Sequence, residues 1–351
     1  DVPAPFATSQ DALAHARPGQ TVWVAARRGP YAGPVELTQD GVALRSRHGR
    51  AALRVEGSAP VVTVLATGVR VQGFSLNGRG TGLLLEGARD ARVEDNVIAG
   101  HRGIGVFAFG GGGHRIRGNR IAGNLHGVWL SQGASQNDVS HNEIADHAGL
   151  GLVLGGAHDN DVAGNAIAGN ALGGVHLLGA RRNRLAGNTF RDNDGAAVLV
   201  SDFSAGNVLA ENAIDGNALG VWLHQSSAAE VRDNAITGSA GAGVQLESSE
   251  RVTVCGNVLA RNAQGIRLND ASFNALLGNR IRANAVGVLV LGASQDNALR
   301  GNNVLDNAQA GVVNESVHAL AAADNFWGSV RGPEGAVQGA VEVAPWSGHR
   351  N

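Results

Sequence analysis

Apolar residues recur along this chain in three short sets per repeat, and within each set they alternate with polar or small residues. One set runs Val93, Ile116, Val139, Val162, Leu185, Leu209, Val231, Val254, Leu276 and Leu299. A second runs Ile98, Ile121, Ile144, Ile167, Phe190, Ile214, Ile236, Leu259, Ile281 and Val304. The third lies in Gly-Val-Trp-Leu segments and their relatives: Val128 with Leu130, Val175 with Leu177, Val221 with Leu223, Val244 with Leu246, Ile266 with Leu268, and Val288 with Val290. Alternation at a period of two predicts strands. Gly, Asn and Asp between the sets predict corners.

An asparagine keeps the phase of this pattern, at Asn96, Asn119, Asn142, Asn165, Asn188, Asn212, Asn234, Asn257, Asn279, Asn302 and Asn325. The intervals are 23, 23, 23, 23, 24, 22, 23, 22, 23 and 23, so one structural unit has been copied with little tolerance for insertion. Stacking such units places like residues above one another and makes three parallel sheets around an aliphatic core. The predicted fold is all-β, a single-domain parallel β-helix of about 23 residues per coil. Parallel crossovers favour the right-handed form. The recurrent asparagine is placed at a corner, bonding to its counterparts in adjacent coils.

The ends are read as caps, because open sheet edges recruit further strands. Residues 1–30 are assigned to an N-terminal cap, with a short helix from about Thr8 or Ser9 to Ala16, stopped by Pro18-Gly19, and the strand Thr21-Val22-Trp23-Val24. Residues 31–330 form the β-helix, less regular up to about 90. Residues 331–351, rich in Gly and Pro, are expected to fold over the last coil.

Composition narrows the partners. The net charge is −2 without long runs of either sign, which argues against nucleic acid, and no apolar stretch is long enough to span a membrane. The basic residues are all arginine and methionine is absent. The single Cys255 reads as a structural thiol. The chain starts at Asp1, and export to the periplasm or the exterior is the expected localisation.

The segment Gln10-Asp11-Ala12-Leu13 through Pro18-Gly19-Gln20-Thr21-Val22-Trp23-Val24, repeats such as 118–124, 164–170 and 278–284, and the closing Asn325-Phe326-Trp327-Gly328 with Gly332-Pro333 carry a resemblance. The chain resembles the right-handed parallel β-helix repeat superfamily, and within it NosD-like proteins and related carbohydrate-binding and sugar-hydrolase modules. Its repeats are similar to those of mannuronan C-5-epimerases and polysaccharide lyases. The Asp-Pro-His triplet of alginate epimerases and the Asn-Thr-Asp, Asp-Asp and Arg-Ile-Lys segments of polygalacturonases do not occur. The resemblance therefore implies coil geometry and brings no catalytic set with it.

A site has to come from outward positions. If Val221 and Leu223 point inward, Trp222 and His224 point out. The same frame gives an outward column of Trp129, Val153, His176, Leu199, Trp222, Gln245, Arg267 and Leu289, and a second of Ser131, Gly155, Leu178, Ser201, His224, Glu247, Asn269 and Leu291. His224, Arg267 and Glu247 are the candidate catalytic set: a base for the C5 proton of a uronate, a cation for its carboxylate, and a carboxylate that orients the base. Trp129, His176, Trp222, Gln245, Asn269, Asp202 and Asp270 are candidate substrate contacts, the indoles as faces for sugar rings. Ser201, His224 and Glu247 also share a column, a weaker suggestion of a hydrolase triad.

No cofactor is required by this reading. Calcium is a candidate through Asp202, Glu247 and Asp270, whereas copper, which a NosD-like resemblance brings to mind, has no evident site. Two functions stay open. One is an exported protein that binds an acidic polysaccharide and processes it by lyase or C-5-epimerase chemistry. The other is a non-catalytic NosD-like accessory or surface module binding sugar or protein, to which an outward stripe of Leu178, Leu199, Leu289 and Leu291 points.

Overall fold

A computed structural model describes residues 6–333 and 335–350. The chain divides into two compact units, Asp1–Leu172 and Gly173–Asn351. Both have the predicted architecture of a right-handed parallel β-helix, in which every third strand joins the same sheet. In the first unit, Val93 pairs with Ile116, Ile116 with Val139 and Val139 with Val162. In the second, Leu209 pairs with Val231, Val231 with Val254 and Val254 with Leu276. All of these side chains are fully buried. Like sits on like because the repeat length is nearly constant, and the aliphatic rows pack against one another in the interior.

The Gly-Asn corners follow from backbone geometry. The residue before each phase-keeping asparagine has positive φ: Asp95, Gly118, His141, Gly164, Gly187, Glu211, Asp233, Gly256, Gly278, Gly301 and Asp324. Glycine enters that region freely, and a short polar side chain is tolerated there. Gly220, in the Gly-Val-Trp-Leu segment, serves a different need: a Cβ there would lie 2.2 Å from the carbonyl oxygen of Gly243.

The asparagines form the expected ladder, and it is not alone. Asn234 Oδ1 accepts from the backbone N–H and the side-chain amide of Asn212, each at 2.9 Å. Its own Nδ2 donates to the carbonyls of Leu209 and Arg232 and to Asn257 Oδ1. A second row in the first unit comprises His101, Asn124, His147 and Asn170, and a third comprises His114, Asn137 and Asn160. In the second unit the corresponding rows hold Asn193 and Asn217, and Asn183 and Asn207. Each rung satisfies corner groups that the sheets leave unpaired. Asn234→Ala removes both sides of a rung and orphans the Asn212 N–H, so a loss of about 3 kcal/mol in urea unfolding is expected, at about 1–3 kcal/mol per unsatisfied buried group. An unchanged midpoint would show that water replaces the ladder.

At the front, the helix Ser9–Ala14 is capped by Thr8, whose hydroxyl accepts from the Asp11 N–H. At the end, Val337–Gly339 and Val341–Glu342 pair with Ala310–Asn314 and Leu320–Ala321, so the final segment adds strands to two sheets. Phe326 and Trp327 are buried.

Candidate functional site

In the second unit the third sheet is built from Gly173–Leu178, Ala196–Ser201, Leu219–His224, Ala242–Glu247, Gln264–Asn269, Val286–Leu291, Ala310–Asn314 and Val337–Gly339. Pairing puts His176 beside Leu199, then Trp222, Gln245, Arg267 and Leu289 in one column. His224, Glu247, Asn269 and Leu291 occupy the next column. The inward neighbours Val221, Leu223, Val244 and Leu246 are fully buried, which fixes the outer side chains on the opposite face.

Glu247 is the centre of the cluster. Its Oε2 accepts from Trp222 Nε1 at 3.1 Å and from Gln245 Nε2 at 3.2 Å. His224 Nδ1 lies 3.7 Å from the same oxygen and is shut off from solvent without a hydrogen-bond partner. The Trp222 and His224 rings meet nearly edge to face, 5.9 Å apart. Arg267 adjoins Gln245 in register, and its Nε is buried and unpartnered. Among the described residues Arg267 belongs to no ion pair, unlike Arg232 or Arg251 of the same unit. Asn269 adjoins Glu247.

Other candidates are placed differently. His176 Nε2 lies 2.8 Å from Ser201 Oγ, so Ser201 pairs with His176 and not with His224, as the triad reading required. His176 pairs with Leu199, and its ring leans along the strand to the residue two further on. Burial lowers the pKa of His176, partly offset by Asp202. Asp202 and Asp270 are exposed at strand ends, where Asp270 Oδ1 accepts from the Ala293 N–H.

Trp129 lies in the first unit, where it is half-buried against Phe107 and His126, with ring centroids 6.4 Å and 5.2 Å away. Trp222 is also half-buried. Both indoles are thus partly covered, by rings of their own strand and by side chains one coil away. The same shielding applies to the leucine stripe: Leu178, Leu199, Leu289 and Leu291 are half-buried, not exposed. Phe203 and Phe273 of this unit do stand out, each at a corner. The interval of 24 residues from Asn188 to Asn212 was the trace of Phe203 in the sequence, whereas Phe273 lies in the interval of 22 from Asn257 to Asn279.

The family model described as periplasmic copper-binding protein (NosD) matches residues 174–334, and that described as right handed beta helix region matches residues 81–236. No curated protein matches the chain. Among solved structures, the Dettilon tailspike protein (gp208) is similar at 15% identity with a TM-score of 0.65, covering 78% of this chain and 60% of that one. The A-module of the Azotobacter vinelandii mannuronan C-5 epimerase AlgE6 is similar at 16% identity with a TM-score of 0.60, covering 96% of this chain and 93% of that one. The AlgE4 A-module gives 16% identity and a TM-score of 0.56, covering 98% and 93%. At such identities the likeness is one of fold. Repeat, register and both family matches agree on one architecture, the right-handed parallel β-helix.

Proposed function

We propose that the third-sheet face of the second unit binds an acidic polysaccharide outside the cytoplasm and abstracts the C5 proton of a uronate. The observation that carries this reading is the unpaired Arg267 beside a histidine–carboxylate pair. A half-buried guanidinium without a carboxylate partner is a ready site for an anion, and its planar fork suits a uronate carboxylate. Neutralising that carboxylate acidifies the C5 proton. His224, with Nδ1 toward Glu247, has Nε2 left to receive the proton, while Glu247 stabilises the imidazolium that forms.

Two outcomes follow from the resulting carbanion. In elimination, the C4–O bond breaks, a C4–C5 double bond forms and the departing oxygen gains a proton. In epimerisation, a proton returns to C5 from the opposite face. His176, Trp222, Gln245, Asn269 and Asp202 would line the polymer's path, with Trp129 a separate contact in the first unit, whereas Asp270 turns away to the Ala293 N–H at the strand end. The epimerase modules share the fold of this chain, and the family description names a periplasmic protein. In the described residues no helix is long and apolar enough to cross a membrane.

Copper does not fit the residues present. It favours imidazole, thiolate or thioether ligands, but the chain has no methionine and a single cysteine. The described residues bring no three His, Cys, Asp or Glu together to hold a metal ion. A non-catalytic NosD-like role is the second reading, favoured by one observation: Glu247 Oε2 is already engaged by Trp222 and Gln245 within the chain.

The test is ultraviolet absorbance of unsaturated product on alginate, pectate, glucuronan and hyaluronan, with and without calcium, beside proton exchange at C5 in deuterated water. A signal in either assay supports the proposal and names the polymer. Silence in both across the panel overturns the catalytic reading and leaves the accessory role.

A further inference from the structure

The corner that follows this sheet in the second unit holds a groove of about 460 Å³, separate from the His224 cluster. Gln225, Ser227, Ser248, Glu250 and Asp270 line it, and Phe203 is its apolar wall. Phe203 is 73% exposed.

Its presence is a local departure from the repeat. Ser204 Oγ donates to the carbonyl of Leu177, and Ser226 Oγ donates to the carbonyl of Val200 one coil on, so Ser204 and Ser226 occupy equivalent places. Val200 and Leu223 are paired and equally equivalent. One more residue therefore separates Val200 from Ser204 than separates Leu223 from Ser226, and it accounts for the interval of 24. The added residue stands between Asp202 and Ser204. It is Phe203, held at φ 57°, where a bulky side chain is uncommon. Phe273, beside the lining Ser272, is likewise exposed and at φ 58°.

We propose that this groove is a binding site for a neutral sugar. A flat exposed ring packs against the C–H face of a pyranose. Serine hydroxyls, the Gln225 amide and carboxylate oxygens match the alternating donors and acceptors around a sugar ring. The hydroxyls of Ser226 and Ser249 are spent on chain carbonyls, which leaves Ser227 and Ser248 to the ligand. Charge selects the class. The lining carries Glu250 and Asp270 and no basic residue, so a uronate is repelled here. Glu250 is paired with Arg251, and Asp270 caps the Ala293 N–H, so neither draws a free cation strongly. An apolar ligand is disfavoured because Phe203 is the one apolar residue in the lining.

Calorimetric titration with gluco-, xylo-, manno- and galacto-oligosaccharides, and with oligouronates, tests the assignment on three proteins. These are the wild type, a variant lacking Phe203, which restores the 23-residue spacing, and Arg267→Ala. At least one neutral oligosaccharide is expected to bind the wild type, to lose roughly tenfold in affinity without Phe203, and to bind Arg267→Ala unchanged. Phe203→Ala gives the same readout should the deletion not fold. Absence of neutral-sugar binding, or binding undiminished in both Phe203 variants, overturns the assignment. Oligouronate binding that falls in Arg267→Ala alone reports on the His224 face, so the two sites stand or fall separately.

Discussion

Arg267→Ala is expected to reduce turnover of the uronate polymer roughly 100- to 1000-fold, the usual loss when one group stabilising developing charge is removed. Arg267 faces outward from the sheet and supports no ion pair, so circular dichroism and the melting midpoint should stay close to wild type. His224→Ala should fall as far, because no other imidazole adjoins Glu247 in the pairing of these strands. Glu247→Gln is the informative intermediate. It keeps an acceptor for Trp222 but removes the carboxylate charge that faces His224 Nδ1, and a loss of roughly tenfold is expected, mostly in kcat. Full turnover in both alanine variants would sink the assignment of base and neutraliser.

The second large effect is acid sensitivity centred on the first unit, with burial lowering His176 of the second unit in the same direction. His114 and His147 stand in ladder positions that asparagine fills elsewhere, and burial lowers both to a pKa of about 4. Each ring accepts a backbone N–H at Nδ1, His114 from Ala91 and His147 from Asn124, which a proton on that nitrogen would displace. Above pH about 6.5 both folded and unfolded chains carry neutral rings, and nothing is lost. Between about 6.5 and 4 the unfolded chain binds protons that the folded chain refuses, so stability declines as pH falls. The loss reaches about 3 kcal/mol for each histidine by pH 4 and then levels off. His101 is lowered by burial as well and adds in the same direction.

Hydrogen exchange read by mass spectrometry should therefore show the coils around 91–147 losing protection near pH 5 while those from 183 onward keep theirs. In the second unit the same rows hold Asn183 and Asn207, and Asn193 and Asn217, which do not titrate. A His114→Asn, His147→Asn double variant should hold its protection through the same range. Equal acid loss in that variant would place the sensitivity in carboxylates instead.

Legibility of the site differed residue by residue. That Trp222, His224, Gln245, Glu247, Arg267 and Asn269 share one face was readable, since a period of two and a constant repeat fix both face and column. Their bonds were not readable. Trp222 and Gln245 both turn to Glu247, and His176 reaches Ser201 diagonally, because rotamers are chosen by what lies one coil above and below. The same cause shielded the leucines and indoles that looked free in sequence.

By itself, then, the sequence determined the strands, the three-sheet coil, the rows of the core and the asparagine ladder at 96–325, all consequences of short-range alternation repeated at one length. Only the tertiary structure decided which polar atoms meet, which histidines replace asparagine in the buried rows, and which apolar side chains stay uncovered. Those depend on contacts between residues about 23 positions apart, where side-chain direction and burial, and not residue type, select the partner.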